Sequence, residues 1–168
     1  QAIGAQQEKK RAEAVRTVEN IQIDGKLDES SWQEAAPAKD FIIYNPQNGL
    51  PSAYRTEVKL LYDDDALYIG AFMYDNTPDS IFAELGQRDE GDINADHFWV
   101  EISPFNDGLN GDMFKVSASN VQIDNKMTTT EEWGHNSDTW DAVWQSRTVI
   151  NDQGWIAEIK IPYSALRF

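Results

Sequence analysis

The feature that most constrains the fold is a pair of apolar stretches joined by a short acidic turn. In residues 56–62, apolar side chains recur at every second position, as expected for a strand with one buried face. Residues 63–65 are three consecutive aspartates, and residues 67–74 follow as a second apolar stretch. This spacing predicts an antiparallel β-hairpin.

Other segments show the same period of two residues. Residues 155–161 alternate strictly and end at Pro162, and a short helix is predicted over residues 30–36, before Pro37. Further strand candidates are residues 21–23, 41–44, 98–102, 113–117, 121–123 and 140–150. Many short strands separated by turns rich in Gly, Asn and Asp predict an all-β fold, an antiparallel β-sandwich with minor helix.

Composition limits the classes of partner. The 168 residues carry a formal net charge of -15, which argues against nucleic acid and anionic membrane surfaces as partners. The charge is compatible with neutral ligands such as sugars and with divalent cations. The chain has no cysteine and two histidines, and its sequence has neither H-x-x-x-H nor cysteine spacing for a transition metal.

The first 18 residues differ from the rest of the chain. They are polar, and residues 6–16 have helical composition but no apolar stripe. We therefore expect residues 1–18 to be a polar leader or tether and residues 19–168 to form the domain. An amino terminus of this kind is also what removal of a signal peptide leaves behind.

Residues 23–32 combine a turn, a helix start and a large apolar anchor. Asp24 and Gly25 predict a tight turn because glycine tolerates positive φ. Asp28 is the predicted helix cap, and Trp32 is expected to fold back onto the domain.

Four segments in order resemble one known family, the carbohydrate-binding module family 9-like domain. They are residues 23–32 (IDGKLDESSW), 56–69 (TEVKLLYDDDALYI), 96–107 (DHFWVEISPFND) and 154–168 (GWIAEIKIPYSALRF). Arg88-Asp89, WDAVW at residues 140–144 and IPYSALRF at residues 161–168 resemble a subtype more closely. That subtype is the amino-terminal module of envelope proteins with domain of unknown function 5916, whose carboxy-terminal part resembles an outer-membrane β-barrel.

The resemblance covers about residues 19–168. It implies an immunoglobulin-like β-sandwich, sugar binding on one face, structural calcium in some members, and no catalysis by the module itself. Sugar-binding members have Asp-x-x-Glu where this chain has Asp96 and Trp99, and Glu101 lies on the same strand face as Trp99. The chain ends at Phe168, where family members usually continue, so we expect a closing strand to be missing.

Five residues are candidates for ligand binding. Trp99 and Glu101 share one face of a predicted strand, and an aromatic ring beside a carboxylate suits sugar recognition. Trp140 and Trp144 are four residues apart, and Trp133 lies in the polar loop before them. Core packing is the competing interpretation for Trp140 and Trp144.

Calcium is the one cofactor that the acidic turns suggest. Asp63 and Asp65 lie in the first turn, and Asp107 and Asp112 lie in a Gly-rich loop. Calcium takes several oxygen ligands from such loops, although none of them has EF-hand spacing. Solvated turns are the competing interpretation.

Two functions follow. The first is a non-catalytic carbohydrate-binding module of a larger envelope protein, exported to the periplasm or cell surface, with a role in carbohydrate catabolism. The second is an assembly module that has lost sugar affinity and docks on its own carboxy-terminal barrel or another envelope subunit. Exposure of the tryptophans discriminates between them.

Overall fold

The protein forms two packed β-sheets, and a computed structural model describes residues 10–128 and 140–166. The elements are β1 (Ala14–Arg16), α1 (Ser30–Glu34), β2 (Thr56–Tyr62), β3 (Ala66–Tyr74), β4 (His97–Ile102), β5 (Asn110–Ser117), β6 (Gln122–Thr128), β7 (Gln145–Asn151) and β8 (Gly154–Pro162). Two 3-10 turns lie at Pro78–Ser80 and Tyr163–Ala165. In this part of the chain, no helix has the length and hydropathy needed to cross a bilayer.

The larger sheet has five strands in the order β1-β2-β3-β8-β7, and the smaller has three in the order β4-β5-β6. All neighbouring strands are antiparallel except β1 and β2, which pair in parallel. Strands β2 and β3 form the predicted hairpin around the acidic turn. The predicted antiparallel β-sandwich with minor helix is confirmed.

The main core lies between the two sheets. Strand β8 contributes Trp155, Ala157, Ile159 and Ile161, the alternating residues that the sequence predicts to be buried. Opposite them, Phe114 of β5 is fully buried. Phe98, Val100 and Ile102 of β4 pack against the same core. The opposite-facing residues of β4 therefore point away from it.

Residues 19–35 cover the outer face of the five-stranded sheet. Trp32 is fully buried there with Ile21, Leu61 and Tyr68, so the predicted anchor is confirmed. Gly70 of β3 makes room for Leu27 and Trp32, because a Cβ at this position would lie 2.7 Å from Leu27 Cδ2 and 3.1 Å from Trp32 Cη2.

The start of α1 is stabilised differently from the prediction. Asp28 does not cap the helix; Glu29 is in the N-cap position and its side chain makes no capping bond. Glu19 supplies the acceptor instead, because its Oε2 accepts the backbone N–H of Ser31 at 2.7 Å. Ser30 Oγ donates to Glu19 Oε1 at 2.6 Å. A residue outside the local motif therefore does the capping.

Four local predictions differ from the structure. Residues 21–23, expected to form a strand, are not part of one and lie in the segment that covers the larger sheet. Residues 14–16, expected in a polar leader with helical composition, form β1 and pair with residues 60–62. Residues 41–44 contain only an isolated bridge between Ile42 and Pro51. Residues 140–144 precede β7 and are not part of a strand.

Candidate functional site

The structure separates the predicted ligand residues between two faces of the three-stranded sheet. Trp99 and Glu101 are exposed on the outer face of β4. Trp140 and Trp144 lie on the inner side, where both contact the buried ring of Phe114. Trp133 lies outside the described residues. The two pairs therefore cannot contact one ligand together.

The outer face of this sheet presents two rows of side chains around Trp99. Lys115 of β5 is directly opposite Trp99, and Ile123 of β6 is opposite Lys115. In the next row Glu101 is opposite Met113. Trp99 is 53 % exposed, so a flat apolar surface is available beside the cation of Lys115 and the carboxylate of Glu101.

Burial lowers the pKa of two basic side chains near the indole of Trp99. Lys115 is half-buried, and desolvation lowers its pKa. Burial also lowers the pKa of His97, and the positive charge of Lys115 adds to this effect. Within the described part of the chain, His97 Nε2 is buried without a hydrogen-bond partner. An ammonium group on this face therefore lies beside a buried imidazole nitrogen to which no described protein group bonds.

Glu101 also borders a shallow cavity at the end of β4. The cavity has a volume of about 360 Å³ and is lined by backbone and side chains of the Gly108–Gly111 loop and by Met127. Leu109 in this loop and Phe105 before it are exposed apolar side chains. The surface around Glu101 therefore combines one carboxylate with apolar patches.

The inner tryptophans are held by packing and by charge. Trp144 is 5 % exposed, and its Nε1 donates to Asp124 Oδ1 at 3.0 Å. Trp140 is half-buried, with the Lys126 ammonium 4.2 Å from its ring centroid. Core packing is the role that the structure gives Trp144, and its ring has no surface for a ligand.

Asp124 organises this inner side. Its side chain is fully buried, and its Oδ2 accepts the backbone N–H of Ala142 at 2.8 Å. Arg88 pairs with Asp124 and also with the exposed Asp141, at 2.9 Å. Arg88 further donates to the carbonyl of Ala142 at 2.8 Å. These bonds fix residues 140–144 against β6 in an irregular conformation.

A second cavity, of about 610 Å³, lies beside Arg88. Its polar lining is engaged internally: Ser146 Oγ donates to Asn120 Oδ1 and Gln122 Nε2 donates to Ser146 Oγ, both at 3.0 Å. None of its lining residues is aromatic. It is therefore less suited than the Trp99 face to stacking against a ring.

Three of the four aspartates predicted to hold calcium are engaged in bonds within the protein. Asp63 Oδ1 accepts two backbone N–H groups at 2.8 Å, and Asp63 Oδ2 accepts the hydroxyl of Tyr68 at 2.7 Å. Asp107 accepts from the backbone of Leu109 and Asn110. Asp112 is buried and paired with Lys126.

Asp65 is exposed in the same turn as Asp63. Within residues 10–128 and 140–166, no three His, Cys, Asp or Glu side chains form a group that could hold a metal ion. The hydrogen bonds of Asp63 and Asp107 explain the acidic turns as backbone-stabilising features.

Comparisons with known proteins agree with this architecture. A family model described as carbohydrate family 9 binding domain-like matches residues 23–168. No match was found among curated proteins.

Similar solved structures include two of a carbohydrate binding module family 9 from Caldicellulosiruptor kristjanssonii. One is in complex with cellotriose; it is 19% identical, with a TM-score of 0.60, and the match covers 90% of this chain and 67% of that chain. The other is in complex with glucose; it is 18% identical, with a TM-score of 0.61 and coverage of 90% and 69%. At this level of identity the likeness supports the shared fold.

Proposed function

Because the chain belongs to the carbohydrate family 9 binding domain-like family, we propose that it binds a saccharide on the outer face of the three-stranded sheet. The observation that carries the proposal is the exposed Trp99 beside Lys115 and Glu101. The family is described as a binding domain, which agrees with the prediction of a non-catalytic module.

The chemistry of this face suits a sugar ring. The C–H face of a pyranose is apolar and packs on the indole, while its hydroxyls need polar partners around the ring edge. Glu101 accepts hydrogen bonds from hydroxyls, and the Lys115 ammonium donates to them. Trp99 and Glu101 are two residues apart on one strand, about 7 Å along it, which is close to the width of one sugar ring.

The first ligands to test are cellotriose and glucose, the ligands named for the two similar structures. Calorimetry of the wild-type chain should detect binding at millimolar concentrations or below. Trp99→Ala removes the stacking surface and should weaken binding by about tenfold or more, since an aromatic contact contributes on the order of 1 kcal/mol beyond its buried area. Trp99→Phe should retain part of the affinity.

Val143 provides a matched control, because it is 84% exposed on the segment before β7, away from the outer face. Val143→Ala should bind cellotriose as the wild type does. Equal affinities of Trp99→Ala and the wild type would contradict the proposed site. Absence of binding to a panel of mono- and oligosaccharides at millimolar concentrations would contradict the proposed function.

Docking to another protein is the second candidate, favoured by one observation. Strand β4, which carries Trp99, is an edge of its sheet in the described structure and pairs only with β5. An edge strand beside an exposed aromatic ring can accept a further strand from a partner. Crosslinking the native protein in its source cells, followed by mass spectrometry, should then identify peptides linked near β4.

The cellular context is also a proposal, supported by the resemblance of residues 88–89, 140–144 and 161–168 to envelope proteins. We place the module in the periplasm or at the cell surface, as the amino-terminal part of a longer outer-membrane protein involved in carbohydrate catabolism. Fractionation and intact mass of the native protein test this placement. A native mass near 19 kDa, the mass of this chain, would contradict it.

A further inference from the structure

A third cavity, lined by basic and aromatic side chains, lies in the loop of residues 39–55, on the approach to β2. It has a volume of about 520 Å³, within the range of small-molecule sites. Its lining includes three basic residues and two aromatic residues, namely Lys10, Lys39, Arg55, Phe41 and Tyr54. None of these residues belongs to the three-stranded sheet that carries Trp99.

The loop is held in shape by its own backbone. At its base, Ala38 and Val58 exchange two hydrogen bonds of 2.8 and 3.0 Å. Further out, Ile43 N donates to the carbonyl of Leu50 at 2.7 Å, and Ser52 N donates to the carbonyl of Phe41 at 3.1 Å. The cavity walls are therefore fixed by ladder-like bonds, which reduces the entropy that a ligand must overcome on binding.

The charge of the lining is opposite to that of the whole protein. The chain has 29 acidic and 14 basic residues, yet the cavity has three basic side chains and a single acidic one, Asp40. Arg55 is positioned by Glu57 at 2.6 Å and lies 4.4 Å from the ring centroid of Tyr74. Lys39 is exposed and makes no ion pair within 4 Å among the described residues, although its charge, after the hydrogen bond from Arg55, helps to lower the pKa of Glu57.

Aromatic rings lie beside these cations. Tyr54 is 61 % exposed, and Phe41 is also exposed. The backbone N–H of Tyr54 donates to Ser52 Oγ at 3.1 Å, which fixes the start of the side chain. A ring that packs against C–H groups, next to a cation that pairs with carboxylates, is a combination that suits a sugar acid.

We propose that the 39–55 cavity binds an acidic oligosaccharide, with Tyr54 stacking on a sugar ring and Lys39 pairing with its carboxylate. This inference rests on the proposed function only in taking a saccharide as the ligand, since it uses a different surface. A chain of net charge -15 repels an acidic glycan at long range, so a local basic site is required for such a ligand to bind.

The test compares trigalacturonate with neutral cellotriose by calorimetry of the full chain. Trigalacturonate should bind the wild type, and binding should weaken as salt rises from 50 to 500 mM because exposed charges are screened. Lys39→Gln should weaken trigalacturonate binding about tenfold, the scale of one charge-assisted hydrogen bond. Tyr54→Ala should weaken it by a similar factor, and neither variant should alter cellotriose binding.

Trp99→Ala is the matched control, since it should weaken cellotriose binding and leave trigalacturonate binding unchanged. Lys39 and Tyr54 are exposed, so circular dichroism should show both variants folded. The inference is overturned if trigalacturonate does not bind at millimolar concentrations, if only Trp99→Ala abolishes its binding, or if polyglutamate of equal charge binds as tightly. Cellotriose binding without trigalacturonate binding would overturn this inference alone.

Discussion

The two sheets of the sandwich differ in what lies on their outer faces. Residues 19–35 cover the five-stranded sheet, and Trp32 is fully buried beneath them. On the three-stranded sheet, Trp99 has the corresponding outward position and more than half of its surface is exposed. A tryptophan therefore stabilises the fold on the outer face of one sheet, while a tryptophan on the outer face of the other sheet is available for contacts.

This difference shows why tryptophan content alone does not identify a binding site. Trp32 and Trp144 are surrounded by protein, and Trp144 additionally has its indole N–H bonded to Asp124. Trp99 has neither enclosure nor an indole hydrogen bond to a described residue. Exposure, more than residue type, separates ligand surface from core.

The largest expected effect of a substitution is on the covered face. Trp32→Ala removes a fully buried indole and should lower the free energy of unfolding by about 3–5 kcal/mol. Trp99→Ala is the matched substitution on the open face and should change it by less than about 0.5 kcal/mol. Urea denaturation of both variants checks this; similar losses would mean that the Trp99 face is covered as well.

The covered face should also respond to pH through Glu158. This carboxyl is fully buried, and its Oε2 accepts the backbone N–H groups of Asp24 and Gly25 at 2.9 Å each. Desolvation raises the pKa of Glu158 to about 7, with the charges of Glu29 and Asp24 acting in the same direction.

A raised pKa means that the fold favours the protonated form. The contribution of Glu158 to stability is full below its unfolded pKa of about 4.5 and is lost as the pH rises through about 7. Glu158→Gln cannot ionise, so between pH 4.5 and 8 the wild type should lose about 3 kcal/mol relative to the variant. Urea titrations at several pH values measure this difference, and Glu101→Gln controls for the general effect of removing one carboxylate at an exposed position.

A smaller effect is expected on the inner side of the three-stranded sheet. Asp124→Asn removes the charge that Arg88 pairs with inside the protein, while Asp141→Asn removes the partner that is 78% exposed. We expect the first to destabilise the protein by about 2 kcal/mol, below the usual cost of breaking a buried pair because Arg88 is one-third exposed. Asp141→Asn should cost less than about 0.5 kcal/mol. If thermal unfolding shows equal losses of stability for the two variants, Asp124 does not hold residues 140–144 in place.

The features predicted correctly from the sequence are those set by local pattern. The hairpin of β2 and β3 follows from two alternating stretches around residues 63–65, and the buried face of β8 follows from its strict alternation. Trp32 could be identified as an anchor because it follows a turn and a helix start.

The features that could not be predicted depend on contacts between distant segments. Lys115 becomes a candidate site residue only through its register opposite Trp99, which the sequence of β4 alone does not contain. Residues 140–144 have the alternating burial of a strand but lie outside one, because the distant Asp124 bonds both Ala142 N and the indole of Trp144. The parallel pairing of β1 likewise joins segments more than 40 residues apart.

The glycine at position 70 has a consequence for the order in which the domain folds. Leu27 and Trp32 pack over this residue. The sheet surface that they contact therefore exists only after β3 has paired with β2 and β8. The covering segment is early in the chain, but it can dock only on a sheet made largely from later residues. We therefore expect its contacts to form late during folding and to be lost early when the domain opens.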